Sequence, residues 1–170
     1  MIKYYFKTGK MYCFLMAIIS VFMFSGCDNR SECNKFITFP GENIKIKINY
    51  PSENGTVSFT EIVKGENKIT LTDNQKIWVI VFPLLANKYY PQKEVDLQEN
   101  GIWSTVAYFG MIDRGVGEKF KVIVALVDSD ANNILEDYMT NAKKNNKWDG
   151  MDDLPKGTKT YDAVTVERIR

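Results

Sequence analysis

Ile77-Trp78-Val79-Ile80-Val81-Phe82 is a run of six apolar residues, each β-branched or aromatic, closed by Pro83. A run this short, without polar alternation, reads as a β-strand buried on both faces, because alternate side chains point to opposite sides and none of them suits water. Such a strand needs one apolar layer above it and another below. The neighbouring segments offer material for both.

Upstream, Phe36-Ile37-Thr38-Phe39 before Pro40-Gly41 predicts a first strand. Asn43 to Tyr50 alternates, with Ile44, Ile46 and Ile48 against Lys45, Lys47 and Asn49, as a strand with one wet face does. Pro51 to Gly55 is turn chemistry, and Asn54-Gly55 predicts a hairpin. Asn54-Gly55-Thr56 also fits a glycosylation acceptor, but the turn accounts for it. Val57 to Val63 reads as one strand and Ile69 to Thr72 as a short one. Downstream, Leu84 to Gln92 is a long connection, and Asn100-Gly101 is a second hairpin signal. Ile102 to Phe109 alternates with Trp103 and Phe109 on one face. Gly110 to Glu118 reads as a hairpin loop. Phe120 to Val127 is a second apolar strand with Phe120, Val122, Val124 and Leu126 on one side.

The period changes at Asp128. Ile134, Leu135, Tyr138, Met139 and Ala142 fall at helical spacing, with Asp128, Ser129 and Asp130 suited to the N-terminal end and Lys143 and Lys144 to the other. A loop, Trp148 to Pro155, leads to a last strand, Tyr161 to Ile169. The pattern predicts a mainly β fold: an antiparallel sandwich of about seven strands with one late α-helix and Trp78 in its core.

The chain has 170 residues, 45% of them hydrophobic and 25% charged, which is ordinary globular composition. Of the 22 Lys and Arg, three (Lys3, Lys7, Lys10) lie in residues 1–26, where there is no acid; the remainder holds 19 against 21 acids. That balance gives no reason to expect nucleic acid as a partner. Histidine is absent, which removes the commonest general base and the commonest metal ligand. Cys13, Cys27 and Cys33 are too widely spaced for a zinc motif or a disulfide framework.

The basic residues 1–10, the apolar run Met11 to Phe24 and the small pair Ser25-Gly26 are the parts of a secretory signal. The run is 14 residues, short of the ~20 that span a bilayer as a helix. Phe24-Ser25-Gly26-Cys27 resembles the bacterial lipobox, although Leu is the commoner residue where Phe24 stands. The resemblance implies cleavage before Cys27, diacylation of that cysteine and attachment to a bacterial membrane through the N-terminal lipid. Asp28 resembles the inner-membrane retention signal of enteric bacteria, a host-dependent rule, so inner and outer membrane both stay open. Residues 1–26 are then the signal, 27–36 the lipidated tether and 37–170 the folded domain.

No catalytic motif emerges. Gly115-Val116-Gly117 opens a strand, not the helix that a phosphate loop needs. Asp128-Ser129-Asp130 begins like a calcium loop, but Asn133 and Met139 stand where Gly and Glu belong, so helix capping is the better reading. Asp149, Asp152 and Asp153 could add oxygen ligands, with nothing to make them converge. No nucleophile elbow is present. No cofactor, metal or enzymatic activity is therefore expected. The alternative class is a small envelope hydrolase using carboxylates only. The most distinctive polar-aromatic stretch is Tyr89-Tyr90-Pro91-Gln92, and Tyr89, Tyr90 and Gln92 are candidate contacts for an envelope protein or a glycan.

Ile77-Trp78-Val79-Ile80-Val81, Tyr89-Tyr90-Pro91-Gln92, Gly101-Ile102-Trp103-Ser104 and Gly110 together resemble an immunoglobulin-like domain of bacterial envelope proteins. Gly150-Met151, Leu154-Pro155-Lys156-Gly157 and Tyr161 to Val166 continue the resemblance, which spans about residues 37–170. It implies a sandwich lacking the usual disulfide; the expected role, a membrane-anchored binding or adaptor module acting through loops or sheet edges, rests on the fold class and the absence of catalytic motifs. The resemblance brings no catalytic residue with it.

The lipobox reading predicts that Cys27→Ala releases the protein from membranes or stalls its processing, and that mass spectrometry finds the mature chain starting at an acylated Cys27. An unmodified Cys27, or a retained Met1, contradicts it.

Overall fold

The computed structural model describes residues 45–170. The expected signal, the lipidated Cys27 with its tether, Ile44 and the strand expected at Phe36–Phe39 lie outside the described residues. Within them the chain forms β1 (Ile46–Tyr50), β2 (Gly55–Val57), β3 (Thr60–Asn67), β4 (Lys76–Pro83), β5 (Tyr90–Glu94), β6 (Asp96–Leu97), β7 (Ile102–Tyr108), β8 (Lys119–Val127), α1 (Ser129–Asn145) and β9 (Thr158–Arg168). The strands make two sheets, ordered β1-β3-β7-β6 and β2-β9-β8-β4-β5. Adjacent strands are antiparallel except β2 and β9, which run parallel with Gly55 opposite Val166, so the expectation of a wholly antiparallel fold is corrected at that pair.

The inner faces of the two sheets share one core. Ile46, Ile48, Val63, Trp103 and Ala107 come from the four-stranded sheet, and Val57, Ile77, Val79, Val81, Phe120, Val122, Val124, Leu126 and Val166 from the other. The alternation in β7 sets this up, since Trp103, Thr105 and Ala107 point inward while Ile102, Val106 and Tyr108 point to water.

The strand Ile77–Phe82 is buried on both faces, as its composition requires. Ile77, Val79 and Val81 face the other sheet, while Trp78, Ile80 and Phe82 face the opposite way. That second side is covered in two parts. Helix α1 lays Ala131 and Leu135 on Trp78 and Val127. Tyr89, Met151 and Leu154 cover Ile80, Phe82, Ile123 and Ala125. Each large apolar side chain so buried contributes ~1.5–3 kcal/mol relative to exposure.

Helix α1 begins and ends where its sequence signals lie. Asp128 is the N-cap and its Oδ1 accepts from the Ala131 N–H at 2.9 Å. Asn146 takes the left-handed conformation at φ 48° and its N–H closes on the carbonyls of Ala142 and Lys143. The buried stripe is narrower than expected: Ala131, Leu135 and Ala142 are buried and Ile134 faces solvent. The helix rests on a small patch centred on the Trp78 indole, and only one edge of the stripe reaches it.

Three other expectations are corrected. Val57–Val63 is not one strand: β2 belongs to one sheet and β3 to the other. Asn54-Gly55 and Gly110–Glu118 do not close hairpins but carry the chain between sheets. Ile69–Thr72 is not a strand, although Ile69 and Leu71 pack on the core. Trp78 is in the core as expected, at 3% exposure, but on the helix side, and Trp103 lies between the sheets. Asn100-Gly101 does form a hairpin, between β6 and β7, with Gly101 at φ 81°.

Trp103 and Gly65 are matched by close approach: a Cβ on Gly65 would lie 2.1 Å from Trp103 Cζ2 and 2.0 Å from the Lys47 carbonyl. Gly65→Ala must displace either the indole or a strand, and a loss of ~3 kcal/mol or more is expected. Trp78→Ala is expected to cost ~3–5 kcal/mol by emptying the space beneath the helix. Urea unfolding checks both, and a variant within ~1 kcal/mol of wild type contradicts the corresponding packing.

Candidate functional site

The structure separates Tyr89, Tyr90 and Gln92 by role. Tyr89 turns into the fold at 8% exposure, packs its ring tilted by 53° against Phe82 with centroids 4.8 Å apart, and exchanges two 2.8 Å backbone hydrogen bonds with Met151. Gln92 is engaged at both ends of its amide: Nε2 donates to the Tyr90 carbonyl and Oε1 accepts from the Tyr108 N–H, each at 2.8 Å. Tyr90 is half-buried, its ring so close to Gly150 that a Cβ there would lie 2.8 Å from Cζ. Of the three, Tyr90 alone keeps part of an aromatic ring toward solvent with no side-chain hydrogen bond among the described residues. Cys27 lies outside those residues.

Three of the acidic groups singled out from the sequence have named local partners. Asp128 caps α1, Asp149 pairs with Lys147 at 2.8 Å and Asp152 with Lys88 at 3.2 Å. Among the described residues no cluster of three or more His, Cys, Asp or Glu could hold a metal ion. Burial lowers the Lys121 ammonium from its ordinary value, with Glu53 opposing that shift.

A different region gathers the exposed apolar side chains. The loop after β4 and the loop between β7 and β8 lie at the same end of the sandwich, since the Leu84 N–H donates to the Lys119 carbonyl and the Gly117 N–H to the Arg168 carbonyl. The first loop exposes Leu84 and Leu85, and the second Met111, Ile112 and Val116, with Leu85 and Ile112 both 81% exposed. Nearby, a cleft of about 100 Å³ is lined by Asn54, Lys119, Thr165, Val166 and Glu167, too small for more than a few waters. β1 begins at the opposite end, where Ile46 pairs with Asn67 and the Asn67 N–H donates to the Gly101 carbonyl.

Arg168 fixes the second loop. Its side chain is 1% exposed, and the guanidinium donates to a ring of backbone carbonyls. Nη1 reaches Phe109 at 2.8 Å, together with Met111 and Arg114; Nη2 reaches Ile112 at 3.3 Å and Nε reaches Arg170 at 2.7 Å. The Phe59 ring lies 5.1 Å from its Cζ. A planar fork with five donors suits such a ring of carbonyls, and a lysine cannot reproduce it. Gly110 and Gly115 make room: a Cβ on either would sit 3.2 or 3.1 Å from Nη1, and both have positive φ. The apolar side chains of Met111 and Ile112 are therefore displayed from a loop whose carbonyls point inward to a buried cation.

The sequence carried a signal for this arrangement. Asp162, Val164, Val166 and Arg168 share the inward phase of β9, which puts Arg168 on the core side at the strand end. Apolar residues inside a glycine-rich loop, with no alternating partners, were the signal for the exposed end.

No family model, curated protein or solved structure matches this chain.

Replacing Arg168 leaves buried carbonyls without donors, each costing ~1–3 kcal/mol. Arg168→Lys is expected to lower stability by at least ~2 kcal/mol and to speed amide exchange across residues 109–114. Denaturant unfolding and hydrogen exchange check it, and wild-type protection in that loop contradicts the role given to Arg168.

Proposed function

We propose that this chain is a bacterial envelope lipoprotein, anchored through Cys27, whose β domain is an immunoglobulin-like, non-catalytic binding module that docks an envelope protein. The strand order supports the domain type. Reading β1, β3, β7 and β6 as A, B, E and D, and β9, β8, β4 and β5 as G, F, C and C′, is consistent with the strand order of an immunoglobulin-like sandwich, with β2 as an added strand beside β9. The helix between β8 and β9 and the outward Trp78 are departures from that plan.

One observation carries the binding role: Leu84, Leu85, Met111, Ile112 and Val116 are exposed at one end of the sandwich, on loops of which one is tied to the buried Arg168. Scattered exposed apolar residues need no explanation, but five concentrated in two loops at one end of the fold are the kind of surface that marks interaction sites. A pre-ordered loop loses less entropy on docking. The side chains are aliphatic and offer no ring on which a sugar could stack, which favours a protein partner over a glycan. The end lies one strand length, ~30 Å for nine residues, from Ile46 at the start of β1.

The test places a photo-reactive residue at Leu85, at Ile112 and, as control, at Glu99 in the opposite end, in cells carrying the full-length chain. The proposal expects one discrete protein adduct from positions 85 and 112 and not from 99. Absence of an adduct from both loop positions, or the same adduct from Glu99, overturns it.

A further inference from the structure

The two sheets differ in what covers their outer faces. The outer side of the five-stranded sheet lies under α1 and the segment around Met151. The outer side of the four-stranded sheet has no such layer among the described residues, and its apolar residues Ile62, Ile102, Val106 and Tyr108 are 42–52% exposed. Ile62 and Val106 are direct cross-strand partners, so they form a continuous apolar centre.

One row of side chains beside that centre is polarised across the sheet, while in the next row Lys47 stands opposite Glu66, which also pairs with Lys68. Tyr50 pairs with Lys64, Lys64 with Ser104, and Ser104 with Asp96, giving one row that is cationic on the β3 side and anionic on the β6 side. Paired residues in neighbouring strands project to the same face, so all four belong to the outer surface. Neither Lys64 nor Asp96 forms an ion pair with another described residue.

We infer that this face is the contact of a symmetric dimer, with a second copy of the chain as its occupant. A two-fold axis along the strands lays the row on itself in reverse. The β3 side of one copy then meets the β6–β7 side of the other, Ile62 lies over Val106, and Lys64 lies toward Asp96, twice by symmetry. A surface whose apolar centre is flanked by opposite charges in this order is complementary to itself, as a two-fold interface must be. The surface is separate from the apolar loops, so a dimer leaves both copies of that end free.

Sedimentation of the full-length protein in contrast-matched detergent tests the inference, with a melting curve on every variant. Wild type is expected to sediment as a dimer. Lys64→Glu places like charges together and is expected to weaken the dimer about tenfold or more. Adding Asp96→Lys to Lys64→Glu restores opposite charges and is expected to return the dimer to near wild-type affinity. A wild-type monomer at ~100 μM, well above the μM affinities typical of standard interfaces, overturns the inference. So does a double variant no tighter than Lys64→Glu alone. Because both substitutions lie on the exposed face, the rescue reads the contact and not the fold.

Discussion

Two adjacent strands, β4 and β8, are apolar on both sides, and the rest of the molecule answers that constraint. A strand of this kind cannot sit at a surface, and it cannot sit in a two-layer sandwich with a wet outer face. One cover is the four-stranded sheet, which meets Ile77, Val79, Val81, Phe120, Val122 and Val124. The other is α1 with the segment around Met151, which meets Trp78, Ile80, Phe82, Ile123 and Ala125. The helix lies between β8 and β9 in the chain, so the strand that most needs a lid is followed directly by it. Trp78 joins the layers with a polar contact as well, its Nε1 donating to Asn132 Oδ1 at 2.9 Å.

Polar groups hold the places where sheets meet loops. Asp162 is buried on the inward side of β9, and its Oδ2 accepts from the Ile48 N–H at 2.9 Å, joining the edge strand of one sheet to the other sheet. Arg168 lies six residues further along the same inward phase and organises the loop that joins β7 to β8. Each side chain supplies hydrogen bonds to backbone groups that regular pairing cannot reach, which is the condition for burying those groups at modest cost. The same logic makes the exposed apolar loop an ordered surface rather than a frayed one.

Much of this was legible in the sequence because local pattern carried it. The unbroken run in β4, the alternation in β7 and the capping of α1 by Asp128 are all set by neighbours within a few residues. What was not legible depended on partners far away. Val57 and Val63 look like one strand, yet β2 pairs with β9, more than a hundred residues later, while β3 pairs with β7. A strand apolar on both sides gives no sign of which face will look at a helix, so Trp78 could not be told from a residue between the sheets. Tyr89 and Tyr90 differ by one residue and hence by one face, and only the bridge to Met151 decides which ring is buried. Leu85 and Ile112 stand out only once the two loops are known to share an end.

The central claim is that β4 and β8 are closed from both sides, with α1 as a true third layer. Hydrogen exchange, comparing wild type with Leu135→Ala, tests it most directly. In the wild type, amides of β4 and β8 should exchange only through global unfolding, while those of the edge strands β1 and β5 open earlier. Leu135→Ala should lower the protection of α1, β4 and β8 together, by the ~2–5 kcal/mol expected for truncating a buried leucine. If β4 in the wild type exchanges as fast as β1, or if Leu135→Ala loosens the helix and leaves β4 unchanged, α1 is an appendage and the three-layer account is wrong.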